Sequence, residues 1–123
     1  LQPYMVGSIS QIQFEGPDVE LLGILARPMC MVIHELATNA MKHGALGVDS
    51  GNVMISTTLL PGDHLQLSWL ETDGPTVSEE RTTSTGISLL EGLVSHEMHG
   101  TIELNFKESG LHCTIEVPLK DQQ

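Results

Sequence analysis

The order in which strand-like and helix-like patterns follow one another limits the folds open to this 123-residue chain more than any other feature. The stretch SISQIQF, at 8–14, alternates apolar and polar residues as a strand does. Asp18 can cap a short helix that runs to about residue 26, and Pro28 suits the first turn of a second helix that ends at Gly44. The strand patterns NVMISTTLL and HLQLSWLE follow, and after a helix pattern at ISLLEGLVSHEMH come two more, TIELNF and LHCTIEVPL.

This order predicts an α+β fold in which a mixed, mostly antiparallel sheet carries its helices on one face. The last two strands are separated by KESG, which is typical of a hairpin turn. Ser88 and Glu91 form a capping box, which predicts that the last helix begins near Leu89. The polar stretch DGPTVSEERTTSTG is rich in turn formers and predicts a flexible surface loop. The length suits one domain, residues 1–123, with a single core.

Charge and hydropathy exclude several classes of function. Sixteen acidic residues oppose five basic ones, which are scattered, so the chain lacks the basic patch of a nucleic-acid-binding protein. No apolar run approaches the roughly 20 residues of a membrane span, and the first residues do not resemble a signal peptide. We therefore expect a cytoplasmic domain of a longer protein, without direct membrane contact. Cys30 and Cys113 lie in apolar patterns, which predicts buried free thiols.

The longest predicted helix carries an unusual number of polar residues in VIHELATNAMKHGALG, at 32–47. Residues four apart share a helix face, so Glu35, Asn39 and either Lys42 or His43 project together. An asparagine carbonyl is a hard oxygen ligand of the kind that Mg²⁺ takes, and a neighbouring glutamate can orient a water molecule. Taken alone, such a stripe is more often a solvated helix face.

Two stretches downstream also suit a nucleotide. WLETDGP, at 69–75, ends a strand with carboxylates, one of which can accept a hydrogen bond from an amino group such as that of adenine. TSTGISLL, at 83–90, leads a loop into a helix, where free amides and the helix dipole favour a phosphate. Taken singly, the two stretches also fit an ordinary acidic turn and an ordinary capped helix.

Together and in this order, the three stretches resemble a known family. HELATNAMKHGALG is similar to the N box of the Bergerat-type ATP-binding domain of histidine kinases and gyrase-type topoisomerases. His34 in that box, with Trp69 and Glu71 in a WxE triplet, resembles the HWE family of bacterial sensor histidine kinases. The resemblance covers essentially the whole chain and implies the two-layer α/β sandwich of the Bergerat ATP-binding type.

The resemblance also implies a role for each matching residue. Asn39 would hold the Mg²⁺ that bridges the ATP phosphates, Glu35 would position water or the metal shell, and His34 would be the signature residue of the family. Glu71 would accept a hydrogen bond from the adenine amino group, and residues 76–85 would form a lid over ATP. The catalytic residues would be Glu35 and His34, and the residues that bind ATP would be Asn39, Lys42, His43, Glu71, Asp73, Gly74, Arg81, Thr85 and Gly86.

The resemblance implies a kinase activity that needs a second domain. The domain would present the γ-phosphate of Mg-ATP to a histidine on a helical dimerisation domain of the same protein or of its dimer mate. The phosphoryl group would then pass to an aspartate of a response regulator receiver domain. The sensor and phosphoacceptor helical domains would lie outside this chain, in a homodimeric full-length protein. The isolated domain is therefore expected not to autophosphorylate.

The chain departs from the family pattern in both glycine boxes. It has ETDGP where relatives usually show ExGGP, so Asp73 adds a side chain and a charge, and it has Ser84-Thr85-Gly86 where they show GxG. Thr83 stands where an arginine often does, which leaves Arg81 and Lys42 as the candidates to offset the charge of ATP. A degenerate Bergerat domain with weak or no ATP binding, acting as a docking or regulatory module, is therefore the alternative.

Overall fold

A computed structural model of the chain describes residues 11–17, 23–82 and 85–119. These residues include one mixed sheet of five strands in the order β1-β2-β3-β5-β4. β1 runs parallel to β2, and the other neighbouring strands are antiparallel. The fold class predicted from the order of the patterns is confirmed. The strand bounds are Ile12–Glu15 for β1, Asn52–Leu60 for β2, His64–Thr72 for β3, Thr101–Lys107 for β4 and Gly110–Pro118 for β5.

The helices cover one face of this sheet, and the core lies between the two layers. The long helix α1, Gly23–His43, buries a stripe with the spacing of one helix face. The stripe consists of Leu25, Met29, Val32, Leu36 and Ala40, each exposed by 6% or less. The strands contribute alternate residues to the same cluster, since the side chains of a strand point to opposite faces. On β3, for example, Leu65, Leu67 and Trp69 are buried, whereas the residues between them are half-exposed.

The helix α1 differs from its prediction, because it runs through Pro28 without interruption. A proline inside a helix lacks the N–H donor and its ring meets the carbonyl four residues earlier, which costs about 3 kcal/mol. Burial of a leucine or valine side chain contributes about 1.5–3 kcal/mol, so burial of the whole stripe outweighs that cost. The prediction of a new helix that begins at Pro28 is wrong. The end of α1 before Gly44 is confirmed, and the cap predicted at Asp18 lies outside the described residues.

The segment between β3 and β4 also differs from its prediction. It contains a short helix α2, Glu79–Thr82, so the stretch is not a plain surface loop. The next helix, α3, spans Thr85–Gly92 and continues as a π turn over Leu93–Glu97. Ser88 therefore lies inside α3, and the capping box that would start the helix near Leu89 is wrong. The hairpin turn between β4 and β5 is confirmed.

The two cysteines lie in different environments. Cys113 is buried on β5 as predicted, but Cys30 is exposed on α1, so that half of the prediction is wrong. Neither cysteine forms a disulfide. Among the described helices, none is both long and apolar enough to cross a membrane.

Candidate functional site

Three polar side chains are buried together where α1, β3 and α2 meet. Asn39 lies in the last part of α1, Glu71 at the end of β3 and Arg81 in α2. Their exposed fractions are 5%, 3% and 0%. Charged side chains are almost never buried so completely unless they are paired, so the contacts among these three decide what the site can do.

The carboxylate of Glu71 accepts four hydrogen bonds. Its Oε1 accepts from Arg81 Nη1 at 2.8 Å and from the backbone N–H of Ala45 at 3.3 Å. Its Oε2 accepts from Arg81 Nη2 at 2.5 Å and from Trp69 Nε1 at 3.0 Å. A carboxylate offers about four lone-pair positions, so the acceptor capacity of Glu71 is filled.

The guanidinium of Arg81 connects this carboxylate to α1. While Nη1 and Nη2 donate to Glu71, Nε donates to Asn39 Oδ1 at 2.6 Å. Cζ of Arg81 lies over the ring of Phe106 on β4, 5.8 Å from the ring centroid, within the range of a cation–π contact. The buried ion pair is therefore bidentate, and the same arginine holds the amide of Asn39.

Two glycines leave the space that this arrangement requires. A Cβ at Gly44 would lie 2.6 Å from Arg81 Nη1 and would also meet Glu71 Oε1. A Cβ at Gly86, in the first turn of α3, would lie 2.6 Å from Glu35 Oε2. The carboxylate of Glu35 thus lies against the start of α3, where the sequence predicts that phosphates approach.

The predicted site residues divide between the buried cluster and its surroundings. Arg81 contacts both Asn39 and Glu71, although the sequence predicts Arg81 near the phosphates rather than beside Glu71. The side chains of the remaining candidates lie partly or fully exposed. His34, Lys42, Asp73 and Thr85 are exposed, whereas Glu35, His43, Gly74 and Gly86 are half-buried.

The turn after Glu71 places Asp73 in a backbone conformation that favours glycine. Asp73 has φ of 56°, in the left-handed region that glycine, asparagine and aspartate adopt most readily. The backbone of Gly74 then packs closely, because a Cβ there would lie 2.9 Å from Ala45 Cα. Its N–H donates to the carbonyl of Ser109 at 2.9 Å. The turn therefore approaches the loop after α1 closely although Asp73 stands where the family pattern has a glycine.

His34 faces a different part of the surface. It lines an apolar groove of about 290 Å³ together with Glu35, Cys30, Met31, Arg27 and Leu89. Glu35 belongs to this groove and also lies against Gly86, so it stands between the groove and the start of α3.

Two further residues donate to the cluster, and the sequence assigned a polar role to neither of them. Trp69 donates its indole N–H to Glu71, and Ala45 donates its backbone N–H to the same carboxylate. The spacing of Trp69 and Glu71 carried a signal for the first contact, since residues two apart in a strand lie on one face. Ala45 carries no such signal, because its contribution is a backbone group.

Cys113 lies next to Trp69 in the strand register. Burial, and secondarily the negative charge of Glu71, raise the pKa of its thiol to about 12. A thiol with such a pKa stays protonated at neutral pH and is a poor nucleophile. Cys113 is therefore a core residue rather than a reactive group.

Comparison with known proteins places this chain in a family. The chain is 37% identical over 122 residues to blue-light-activated histidine kinase 1 of Erythrobacter litoralis, an alignment that covers 97% of this chain and 33% of that protein. The chain belongs to the HWE family of histidine kinase catalytic domains. It spans about a third of the length of this relative. No protein-family model matches this HWE domain.

Solved structures share the fold of this HWE domain. The histidine kinase domain of Erythrobacter litoralis EL346 superposes with a TM-score of 0.77 at 18% identity, over 97% of this chain and 58% of that one. Full-length ShkA in complex with AMPPNP gives a TM-score of 0.59 at 18% identity, covering 94% of this chain and 28% of that one. ThkA in complex with the response regulator TrrA gives 0.67 at 19% identity, covering 95% and 38%.

Proposed function

We propose that this domain binds Mg-ATP and presents its γ-phosphate to a histidine on a separate helical domain, for onward transfer to an aspartate of a response regulator. The observation that carries the proposal is the buried cluster of Asn39, Glu71 and Arg81, which joins the N box, the WxE triplet and the lid segment of an HWE domain. The complexes of ShkA with AMPPNP and of ThkA with a response regulator support it by analogy of fold.

The residues of the cluster suit the metal that ATP brings. Mg²⁺ is usually held by one or two protein oxygens together with substrate phosphates and water, so a cage of protein ligands is not required. Asn39 Oδ1 has two lone pairs, of which Arg81 Nε occupies one. Asn39 would hold Mg²⁺, which supplies charge neutralisation on the phosphates. Glu35 would orient the surrounding water from its position against Gly86.

The positive charges near the site would offset the triphosphate. The chain has a formal net charge of −11, so a polyanion needs cations close to its binding site. Lys42 at the end of α1 suits this role, and its charge also complements the negative end of the helix dipole, whereas His43 would donate a ring N–H to a phosphate oxygen. Asp73 and Gly74 would line the turn beside the base, and Thr85 would offer its backbone N–H to the phosphates at the start of α3.

The transfer itself would rest on positioning and charge. The bond between the γ-phosphorus and the bridging oxygen of ADP would break, and a bond from the γ-phosphorus to a ring nitrogen of the acceptor histidine would form. The acceptor would lose the proton of the attacking imidazole, and ADP would leave with the electron pair of the broken bond. None of the six histidines of this chain is proposed as the acceptor, so the acceptor would lie on the helical domain. The full protein would be a homodimer.

A docking module without nucleotide affinity is the second candidate function. It is favoured by one observation, the four hydrogen bonds that fill the acceptor positions of Glu71. In that function the cluster would only stabilise the fold, and the domain would offer a surface to a response regulator or a partner kinase.

Calorimetric titration with a non-hydrolysable ATP analogue, with and without Mg²⁺, tests the proposal. We expect saturable binding that depends on Mg²⁺, and loss of that binding in Asn39→Ala. Asn105→Ala is a matched control, because Asn105 is exposed on β4. Absence of binding at millimolar nucleotide in a folded sample would favour the docking module. Unchanged affinity in Asn39→Ala would remove Asn39 from the metal site.

A further inference from the structure

Arg81 donates hydrogen bonds to the side-chain atoms that, in the proposed function, would contact the nucleotide and its metal. The adenine amino group is assigned to the Glu71 carboxylate, and Mg²⁺ to Asn39 Oδ1. Arg81 donates two hydrogen bonds to the first and one to the second. Because the four acceptor positions of Glu71 are filled, an amino group can bind there only after one of the present donors leaves.

Of the donors to Glu71, Arg81 is the one that can leave without unfolding the core. Ala45 donates from the backbone, and Trp69 is fully buried on the central strand β3. Arg81 belongs to α2, which has only four residues. The segment before α2 is anchored to the β4–β5 turn, since Gly74 N–H donates to the carbonyl of Ser109 and Val77 N–H to that of Glu108. A movement that begins after Val77 would release Arg81 and leave the strand end in place.

We propose that Arg81 is an internal competitor of the nucleotide, whose hydrogen bonds hold α2 against Glu71 and Asn39 until Mg-ATP displaces them. The inference rests on the proposed function and adds a regulated step to the same site. Removing the guanidinium alone would leave a buried carboxylate without its counter-charge, which is strongly unfavourable. The nucleotide offsets part of this cost, because its amino group replaces a donor to Glu71, which keeps Trp69 and Ala45, while its phosphates offer the guanidinium a new anionic partner.

If Arg81 competes with the nucleotide, a change that weakens the contacts of Arg81 in the closed state should make the domain bind nucleotide more tightly. The apparent dissociation constant equals the intrinsic one divided by the open fraction, so any change that raises the open fraction raises the affinity. Arg81→Lys keeps the positive charge but replaces the planar fork with a single ammonium, which cannot reproduce the bidentate pair and the contact to Asn39 together. An ammonium still attracts phosphates as a point charge, so the new partner is retained.

The test is calorimetric titration of the wild-type chain, Arg81→Lys and the control Arg27→Lys with the ATP analogue and Mg²⁺. Arg27 is exposed on α1, so its variant should bind as the wild type does. We expect a roughly tenfold lower dissociation constant for Arg81→Lys, because the closed state would lose about one charge-assisted hydrogen bond and the open fraction would rise accordingly. An equal or higher dissociation constant in a folded Arg81→Lys sample would overturn the inference, because an arginine that only shapes the pocket gives that result.

A second measurement uses the unmodified chain and needs no variant. Trp69 is the only tryptophan of the sequence, and its indole N–H shares Glu71 Oε2 with Arg81 Nη2. Departure of the guanidinium should change the Trp69 emission, with the same midpoint as the calorimetric curve. Saturating binding with constant emission would overturn displacement while leaving nucleotide binding intact. Absence of calorimetric binding would instead overturn the proposed function, and the inference with it.

Discussion

Replacing Glu71 and Arg81 by methionine, singly and together, measures how strongly the buried pair is coupled. Each single change leaves one buried charge without its partner, which costs about 3–5 kcal/mol of the free energy of unfolding. The two costs should differ, because Trp69 and Ala45 donate to Glu71 and not to Arg81. In Arg81→Met the carboxylate keeps these two donors, whereas in Glu71→Met the guanidinium and both donors lose their acceptor.

The expected loss is therefore about 3 kcal/mol for Arg81→Met and about 5 kcal/mol for Glu71→Met, the two ends of that range. The double variant removes both charges, so its loss should fall below the sum of the single losses by at least about 2 kcal/mol. What remains in the double variant is mainly the cost of three groups that lose partners, the Trp69 and Ala45 donors and the Asn39 oxygen, at about 1–2 kcal/mol each, so the double variant should lose about 6 kcal/mol at most.

Urea unfolding followed by the emission of Trp69 gives these free energies, and the slope with urea shows whether the unfolding transition stays comparable. The single tryptophan reports from within the cluster itself. Losses that add to within about 0.5 kcal/mol would refute the reasoning, because independent sites behave in that way. A larger loss for Arg81→Met than for Glu71→Met would also contradict the proposed distribution of donors.

Three further predictions concern Gly44 and the two cysteines. Gly44→Ala should lower the free energy of unfolding by about 1–3 kcal/mol, because its Cβ would overpack against Arg81. Gly92→Ala is the matched control, since none of the described residues lies within 4 Å of its Cβ, and it should be neutral or stabilising by up to about 1 kcal/mol in the same urea assay. Iodoacetamide at pH 8 should modify exposed Cys30 and spare Cys113, as mass spectrometry would show. The pKa of Cys113 is raised from 9.0 to about 12 in the folded chain, so the folded state keeps the thiol proton to higher pH than the unfolded state does. The free energy of unfolding should therefore fall as the pH rises from 9 towards 12. Cys113→Ala should lose this contribution to the pH dependence.

The sequence is informative about the fold wherever a period is long and regular. The strand patterns at NVMISTTLL and HLQLSWLE coincide with β2 and β3 to within one residue, because alternation over eight or more residues has few other interpretations. Local signals failed where burial opposed them. Pro28 normally marks the beginning of a helix, but the buried stripe of α1 continues through it.

The sequence predicts which residues belong to the candidate site better than it predicts the contacts among them. Asn39 and Glu71 were predicted from motifs, and the structure places both beside Arg81. The burial of Arg81 could not be predicted, because it lies in a polar stretch whose composition is that of a surface loop. The contact depends on Asn39, which is 42 residues away, and local patterns carry no information at that distance.

The pairing of β3 has a consequence for the chain as it leaves the ribosome. When Arg81 has been synthesised, Asn39 and Glu71 are already present, but β5 is not, and β3 has only β2 as a neighbour. Gly110, which begins β5, packs directly on Glu71, with 2.7 Å between its would-be Cβ and that of the glutamate. Until then β5 does not cover this side of Glu71, and an ion pair in contact with water contributes only about 0–1 kcal/mol. The contact between Glu71 and Arg81 should thus gain its full strength only once the last strand has been translated and has docked.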